Sequence, residues 1–344
     1  MRDVRPVPRT PAVGFVFTVP VTRAPRLVVL LAAVALLAPV HAADASPSRR
    51  LDVTGYALAG QARPSDVTRD GGYLRTIGID GVVLAGPRAV TRVAPQAHAL
   101  RRTAQRHDRK AVLLVSNYTD ALGDFDEPLA YRMLSSRSNR TAVVRSLVRQ
   151  ARGFDGVQVD LESLAPRDRA GLVAFTRELR RALPRRSSLS MAVMASSDDA
   201  GYRARGYDLR RLARSLDRVV LMAYDQHGPT WSGPGAIGSV RWVRSELRFL
   251  TSRVPRRKVD LGVAAYGYQW GGGAGTLTVP QARRLAGDRA RWSRKHAEWH
   301  ARLPGGRTIW WSDRRSLRAR EKVARAAGVR GVAIWQVGSS GRLR

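Results

Sequence analysis

Short apolar runs alternate with longer amphipathic stretches from Leu51 to the end of the chain. The short runs have the length and β-branched content of buried strands, whereas the long stretches repeat apolar residues every three or four positions, which is the period of a helix. The predicted strands are Val53–Leu58, Gly81–Ala85, Ala111–Ser116, Gly156–Glu162, Leu189–Met194, Arg218–Tyr224, Val259–Tyr266 and Gly331–Val337. The predicted helices include Pro95–His107, Leu129–Ala151, Asp168–Leu183, Leu209–Leu216 and Val240–Val254.

This alternation is typical of an α/β fold, and we predict a (β/α)8 TIM barrel forming a single domain over residues 46–344. A doubly wound parallel sheet is the alternative. Only Gly338–Arg344 follow the last predicted strand, so the eighth helix is expected to be short or missing. The seam between the last and first strands is then either open or sealed by another segment, or else the sequence is truncated.

The first 45 residues have a different pattern. Five arginines precede an apolar run, Leu27–Val40, and small residues suitable for cleavage follow it. The run is shorter than the ~20 apolar residues that a spanning helix needs, so we predict a secretory signal peptide over residues 1–45, with an uncleaved anchor as the alternative. The expected protein is secreted or cell-wall associated, without a transmembrane domain in its mature form.

The chain has 60 Lys and Arg against 27 Asp and Glu, a net charge of +33, and no cysteine. The absence of cysteine excludes disulfides, thiolate metal sites and cysteine nucleophiles. All but four of the 60 cations are arginines, spread over almost every predicted helix, which resembles the bias of a GC-rich genome. Without a nucleic-acid-binding module, the charge predicts attraction to an anionic cell wall rather than a specific nucleic-acid partner.

Polar residues gather where predicted strands end. Gln158, Asp160 and Glu162 share one face of a strand because side chains alternate with a period of two. In a barrel this face points inward near the mouth, where two carboxylates raise each other's pKa. A carboxyl group that stays protonated near neutral pH can act as a general acid. The alternative is a salt-bridged strand end held by arginine.

The same strand carries a family resemblance. The segment FDGVQVDLE (Phe154–Glu162) resembles the DGxDxDxE strand of family 18 glycoside hydrolases, the chitinase-like group, with Gln158 where most members have Asp. The Asn117-Tyr118 pair resembles the Asn-aromatic pair that commonly ends strand three in the bacterial branch of the family, which includes spore-cortex and peptidoglycan glycosylases. Three later segments resemble the family's strands six, seven and eight, in that order: LMAYDQHG (Leu221–Gly228), LGVAAYGYQW (Leu261–Trp270) and GVAIW (Gly331–Trp335).

The resemblance implies hydrolysis of a β-linked 2-acetamido sugar polymer, chitin or peptidoglycan, with retention of configuration and without a metal or cofactor. It implies Glu162 as general acid and base, Asp160 as the group that orients the substrate acetamide, and Tyr224 as a hydrogen-bond donor to it. Further residues are expected to bind the substrate: Tyr56, Asn117, Gln158, Asp225, Tyr266 and Trp335. An amide at 158 cannot ionise, so we expect the pKa of Asp160 to be less disturbed and Gln158 to donate a hydrogen bond to it.

Other features are given less weight. His296 and His300 have zinc-compatible spacing, but without a third ligand we predict a solvated helix between strands seven and eight. The glycine run Gly271–Gly275 predicts a flexible loop at the rim, where Trp231 and Trp270 are expected to stack on sugars. An inactive chitinase-like lectin of the cell envelope is the alternative function; it is disfavoured because such proteins typically lose the acid, which is present here.

Overall fold

The structure, a computed structural model, describes residues 50–273 and 275–344, and the predicted signal peptide lies outside this range. In these residues the strands are β1 (Asp52–Leu58), β2 (Thr76–Val83), β3 (Lys110–Ser116), β4 (Tyr118–Thr119), β5 (Asp124–Phe125), β6 (Gly156–Asp160), β7 (Ser188–Met194), β8 (Arg218–Met222), β9 (Val259–Ala264), β10 (Gly267–Trp270), β11 (Gly275–Leu277), β12 (Arg291–Ser293), β13 (Glu298–Arg302), β14 (Thr308–Trp311) and β15 (Gly331–Trp335). The helices are α1 (Pro64–Arg69), α2 (Pro95–Arg106), α3 (Glu127–Ser135), α4 (Arg137–Gln150), α5 (Arg169–Ala182), α6 (Asp199–Ala204), α7 (Leu209–Ser215), α8 (Val240–Thr251), α9 (Val279–Ala286) and α10 (Arg314–Ala326). Among the helices described, none has the length and apolarity needed to cross a membrane.

Eight parallel strands close into a barrel in the order β1, β2, β3, β6, β7, β8, β9 and β15, which confirms the predicted fold. Alternate side chains of each strand point outward and pack against the helices to form the main core. The inward set forms a smaller cluster of Tyr56, Leu114, Val220 and Ala333. Gly78 makes room for this cluster, because a Cβ atom there would lie 2.4 Å from the Tyr56 ring.

The barrel is closed although no helix follows β15 within the described residues 336–344. The seam is sealed by direct parallel pairing of Asp52–Gly55 with Gly331–Ile334. The C-terminal tail then packs near α1, where the backbone N–H of buried Leu343 donates to Asp70 at 3.0 Å. Arg69 donates to the carbonyl of Val337 at 2.9 Å. Strand pairing, with support from the tail, therefore closes the barrel at this seam.

Two predicted boundaries are wrong. The second strand begins at Thr76, five residues before the predicted start, and its pairing with β3 is irregular between Asp80 and Val82. Leu129–Ala151 is two helices rather than one, because Ser136 has an extended backbone and its side chain caps α4 by accepting from the N–H of Asn139.

Between β9 and α10 the chain leaves the barrel and forms a five-stranded antiparallel sheet in the order β11-β10-β14-β13-β12. The predicted solvated helix is therefore wrong: His300 lies in β13, and its ring stacks on Trp310 at 4.7 Å. The sheet has its own core, which includes Ile309 and Trp311. The glycine run lies between the antiparallel strands β10 and β11, and the Gln269 amide donates to the carbonyls of Gly271–Gly273.

Candidate active site

A cleft lies at the carboxyl ends of the barrel strands and has three adjoining lobes of about 600, 450 and 450 Å³. Trp335, at the end of β15, lines all three lobes and forms their common floor. Asp160 and Glu162 line the first two lobes, whereas Asp225 lines the second and third. The cleft thus brings together six of the residues singled out in the sequence, at the place where TIM barrels carry their active sites: Asp160, Glu162, Tyr224, Asp225, Tyr266 and Trp335.

Asp160 and Glu162 are held where ionisation is unfavourable. Asp160 is 8% exposed, and its Oδ1 atom has no hydrogen-bond partner among the described residues. Burial raises the pKa of Asp160 to about 7, and the neighbouring Asp80 contributes. Burial also raises the pKa of Glu162 well above its usual range, with smaller contributions from Asp160, Asp225 and Asp124. No arginine contributes to the pKa of either carboxyl, and burial together with neighbouring acids favours both neutral forms, which argues against the salt-bridged alternative.

Asn117 fixes the backbone of Glu162. The N–H of Glu162 donates to Asn117 Oδ1 at 2.9 Å, and Asn117 Nδ2 donates back to the carbonyl of Glu162 at 3.0 Å and to that of Asp126 at 3.2 Å. The Asn117 side chain is fully buried, and its contact with substrate stays a prediction. It is a positioning residue that sets where the Glu162 side chain leaves the strand end. The next residue, Ser163, then turns the chain with a φ of 55°.

Gln158 and Tyr56 also lie below the cleft rather than in its wall. The Gln158 amide oxygen accepts from the hydroxyls of Tyr56 at 3.0 Å and Ser190 at 3.1 Å. The predicted donation from Gln158 to Asp160 is absent among these hydrogen bonds. Both Gln158 and Tyr56 are 3% exposed, and their contact with substrate stays a prediction.

Asp80 is the residue that the sequence reasoning missed. It lies in β2, lines the first lobe with Asp160 and Glu162, and has a pKa raised to about 6 by burial. Gln158 removes one like-charged neighbour of Asp160, but Asp80 supplies another from a different strand, and the pKa of Asp160 is still raised to about 7. The predicted strand began at Gly81, which excluded Asp80 from the strand-end residues considered.

Tyr224 and Asp225 follow β8 on the other side of the cleft. Gly262 on the neighbouring strand makes room for Tyr224, since a Cβ atom there would lie 3.1 Å from its ring. Asp225 has a left-handed backbone, with a φ of 59°. Its Oδ1 accepts hydrogen bonds from the hydroxyls of Tyr266 and Tyr268, the latter at 2.9 Å. The predicted Tyr266 therefore orients Asp225 while it lines the third lobe.

Aromatic rings line the rest of the cleft, and two of them were not anticipated. Phe125 of the β4–β5 hairpin and Trp242 of α8 line the second lobe. Trp270 is buried and its indole N–H donates to the carbonyl of Ser232 at 2.9 Å, so its predicted rim role is wrong. Trp231 is 54% exposed, and its stacking on a sugar stays a prediction. Within the described residues, no three acidic or histidine side chains gather to hold a metal ion.

Comparisons with known proteins agree with this geometry. A family model described as glycosyl hydrolases family 18 matches residues 80–339. The chain is 24% identical over 301 residues to the uncharacterized glycosylase YvbX of Bacillus subtilis, covering 83% of this chain and 87% of that protein. It is 26% identical over 270 residues to the cortical fragment-lytic enzyme of Bacillus subtilis, covering 73% of this chain but only 62% of that protein. The crystal structure of a chitinase from Chromobacterium violaceum superposes with a TM-score of 0.75 at 26% identity, covering 86% of this chain and 96% of that one.

Proposed function

Since the chain belongs to glycosyl hydrolases family 18 and is a glycoside hydrolase, we propose that it is secreted or bound to the cell wall and cleaves chitin or peptidoglycan glycan strands. The reaction is hydrolysis of a β-linked 2-acetamido sugar with retention of configuration. One observation carries this proposal: the two carboxyls Asp160 and Glu162, with raised pKa values, lie beside the Trp335 floor of one open cleft.

In the first step Glu162 donates its proton to the glycosidic oxygen as the bond to the anomeric carbon breaks. The acetamido oxygen of the same sugar attacks that carbon and forms an oxazolinium ion, so the departing sugar leaves as an alcohol. Asp160 accepts a hydrogen bond from the acetamido N–H and balances the positive charge. The hydroxyl of Tyr224 donates a hydrogen bond to the acetamido oxygen, and Trp335 packs under the sugar face.

In the second step Glu162, now a carboxylate, removes a proton from water. The resulting hydroxide attacks the anomeric carbon from the face that the leaving group vacated, and the ring of the oxazolinium ion opens to restore the acetamide. The two inversions give net retention. Glu162 ends the cycle protonated, ready for the next glycosidic bond.

Asp80 gives Asp160 a partner in this cycle. Asp160 acts as an anion when the oxazolinium charge develops, so the proton that it carries in the free enzyme passes to solvent before the glycosidic bond breaks. A nearby carboxylate on β2 favours the protonated form of Asp160 in the free enzyme. Asp80 thus raises the pKa of Asp160 from another strand. A carboxylate at position 158 would do the same, but the Gln158 amide cannot.

Support for the substrate class comes from the relatives. One is by name a cortical fragment-lytic enzyme and another a chitinase, and both names concern glycans of 2-acetamido sugars. Support for export comes from the N-terminal arginines and apolar run, and the net charge of +33 favours retention at an anionic wall.

The test is product mass spectrometry after incubation with chitooligosaccharides and with purified peptidoglycan. The proposal expects new reducing ends in the products of at least one polymer, and a loss of about 10³-fold in kcat for Glu162→Gln. The matched control is Glu178→Gln, which lies on α5 and pairs with Arg140 far from the cleft. Binding of both polymers without cleavage by the wild-type protein would instead support the lectin alternative.

A further inference from the structure

A second concave surface lies outside the catalytic cleft, between α8, α10 and the turn before β13. This basic groove has a volume of about 530 Å³ and a floor of small residues, Val240, Ala297 and Ala319. Six cationic side chains surround it and no acidic side chain lines it; the cations are Arg241, Arg244, Arg248, Arg294, Lys295 and Lys322. All six are exposed, and none forms an ion pair with a described residue.

The acidic residues of the same three elements are all directed elsewhere. Glu246 of α8 is 4% exposed and buried. Glu298 of β13 is buried in an ion pair with Arg320 at 2.7 Å. Glu321 of α10 accepts a hydrogen bond from the hydroxyl of Tyr73. The basic groove is therefore a place where six cations are gathered and no acidic side chain neutralises them.

The sides of the groove are joined by hydrogen bonds, whereas its arginines repel one another. Buried Arg320 joins its three sides by donating to the carbonyls of Ala297 and Gly238 and to Glu298. On α8, Arg241, Arg244 and Arg248 follow one another at spacings of three and four residues. Like charges at this spacing repel one another and destabilise the helix. A bound polyanion would relieve this repulsion without any rearrangement of the protein.

We propose that the basic groove binds a linear phosphodiester polymer that carries no bases, such as a polyol-phosphate chain of the cell wall. Single-stranded nucleic acids are bound by basic surfaces interleaved with aromatic rings, on which bases stack, and no aromatic residue lines this groove. The other side of α8 contributes Trp242 to the catalytic cleft. A wall polymer bound in the groove therefore holds the enzyme at the wall, with the catalytic cleft on the other side of α8.

The test measures binding of fluorescently labelled poly(glycerol phosphate) to the full-length protein by anisotropy, at about 0.15 M salt. The groove variant is the triple substitution Arg244→Gln, Arg248→Gln and Lys322→Gln. The matched control carries Arg181→Gln, Arg185→Gln and Arg186→Gln, three exposed arginines at the opposite end of the barrel, and has the same net charge. We expect about tenfold weaker binding for the groove variant and less than about twofold for the control.

Equal losses in both variants would overturn the proposal, because they would show that only net charge matters. Tighter binding of single-stranded DNA than of poly(glycerol phosphate) would also overturn it, in favour of a nucleic acid. Cleavage of short, uncharged chitooligosaccharides should be unchanged in both variants. Since binding is measured without hydrolysis, a failure of this proposal is distinct from a failure of the proposed glycosidase activity.

Discussion

The catalytic cleft and the basic groove lie on two sides of α8 and have opposite charge. The cleft is lined by Asp80, Asp160, Glu162 and Asp225, with Arg205 as the cation in the second lobe. The groove is lined by cations and by no acid. The cleft needs carboxyls that keep protons, and no arginine, Arg205 included, contributes to the pKa of Asp160 or Glu162. The net charge of +33 is therefore unevenly distributed: acids predominate in the cleft, whereas the groove is lined by cations alone among its charged residues.

After Glu162→Gln, the variant expected to separate the cleft from the groove most strongly is Asp160→Asn. The amide keeps the size of the side chain but cannot become an anion when the oxazolinium charge develops, so we expect kcat to fall by about 100-fold. Poly(glycerol phosphate) binding should be unchanged, because the groove is intact. The control is Asp155→Asn at the opposite end of β6, where the carboxylate accepts from the N–H of Ala111. An equal fall in kcat for both variants would contradict the role given to Asp160.

A smaller effect is expected for Asn117→Ala. The substitution leaves the Glu162 backbone without its two hydrogen bonds, which lowers the free energy of unfolding by about 1–3 kcal/mol and kcat by about tenfold, with KM nearly constant. Thermal melts and steady-state kinetics check both parts. The control Asn139→Ala removes a hydrogen bond to the carbonyl of Arg132 far from the cleft and should leave kcat unchanged. A pure rise in KM for Asn117→Ala would show that Asn117 contacts substrate after all.

The fold and part of the site could be predicted from the sequence for physical reasons. Apolar strands and amphipathic helices have periods that do not depend on distant contacts, so the barrel order was correct. Contacts between strands carry no local signal: Asn117 pairs with Glu162 across 45 residues, and Asp80 acts on Asp160 from another strand. The inserted sheet was missed because strands as short as β11 and β12 show too little alternation to be recognised.

The smallest effect concerns Asp80→Asn and the pH dependence. Asp80 raises the pKa of Asp160, so its neutralisation lowers that pKa. Because activity requires Asp160 to ionise and this pKa is that of the free enzyme, the acidic limb of the pH–kcat/KM profile should move to lower pH. The control is Asp120→Asn, an exposed carboxylate of the same lobe that does not contribute to the pKa of Asp160. A shift of the same size for Asp120→Asn would mean that any acid of the cleft has this effect.

The central claim is that the substrate's own acetamido group forms the intermediate above Asp160 and Glu162. The most direct measurement is proton NMR of the reducing end in the first minutes of chitooligosaccharide hydrolysis, before mutarotation mixes the anomers. The β-anomer should appear first, because substrate assistance retains the configuration of a β-linked sugar. First appearance of the α-anomer would mean that water attacks directly with inversion, and it would contradict the mechanism.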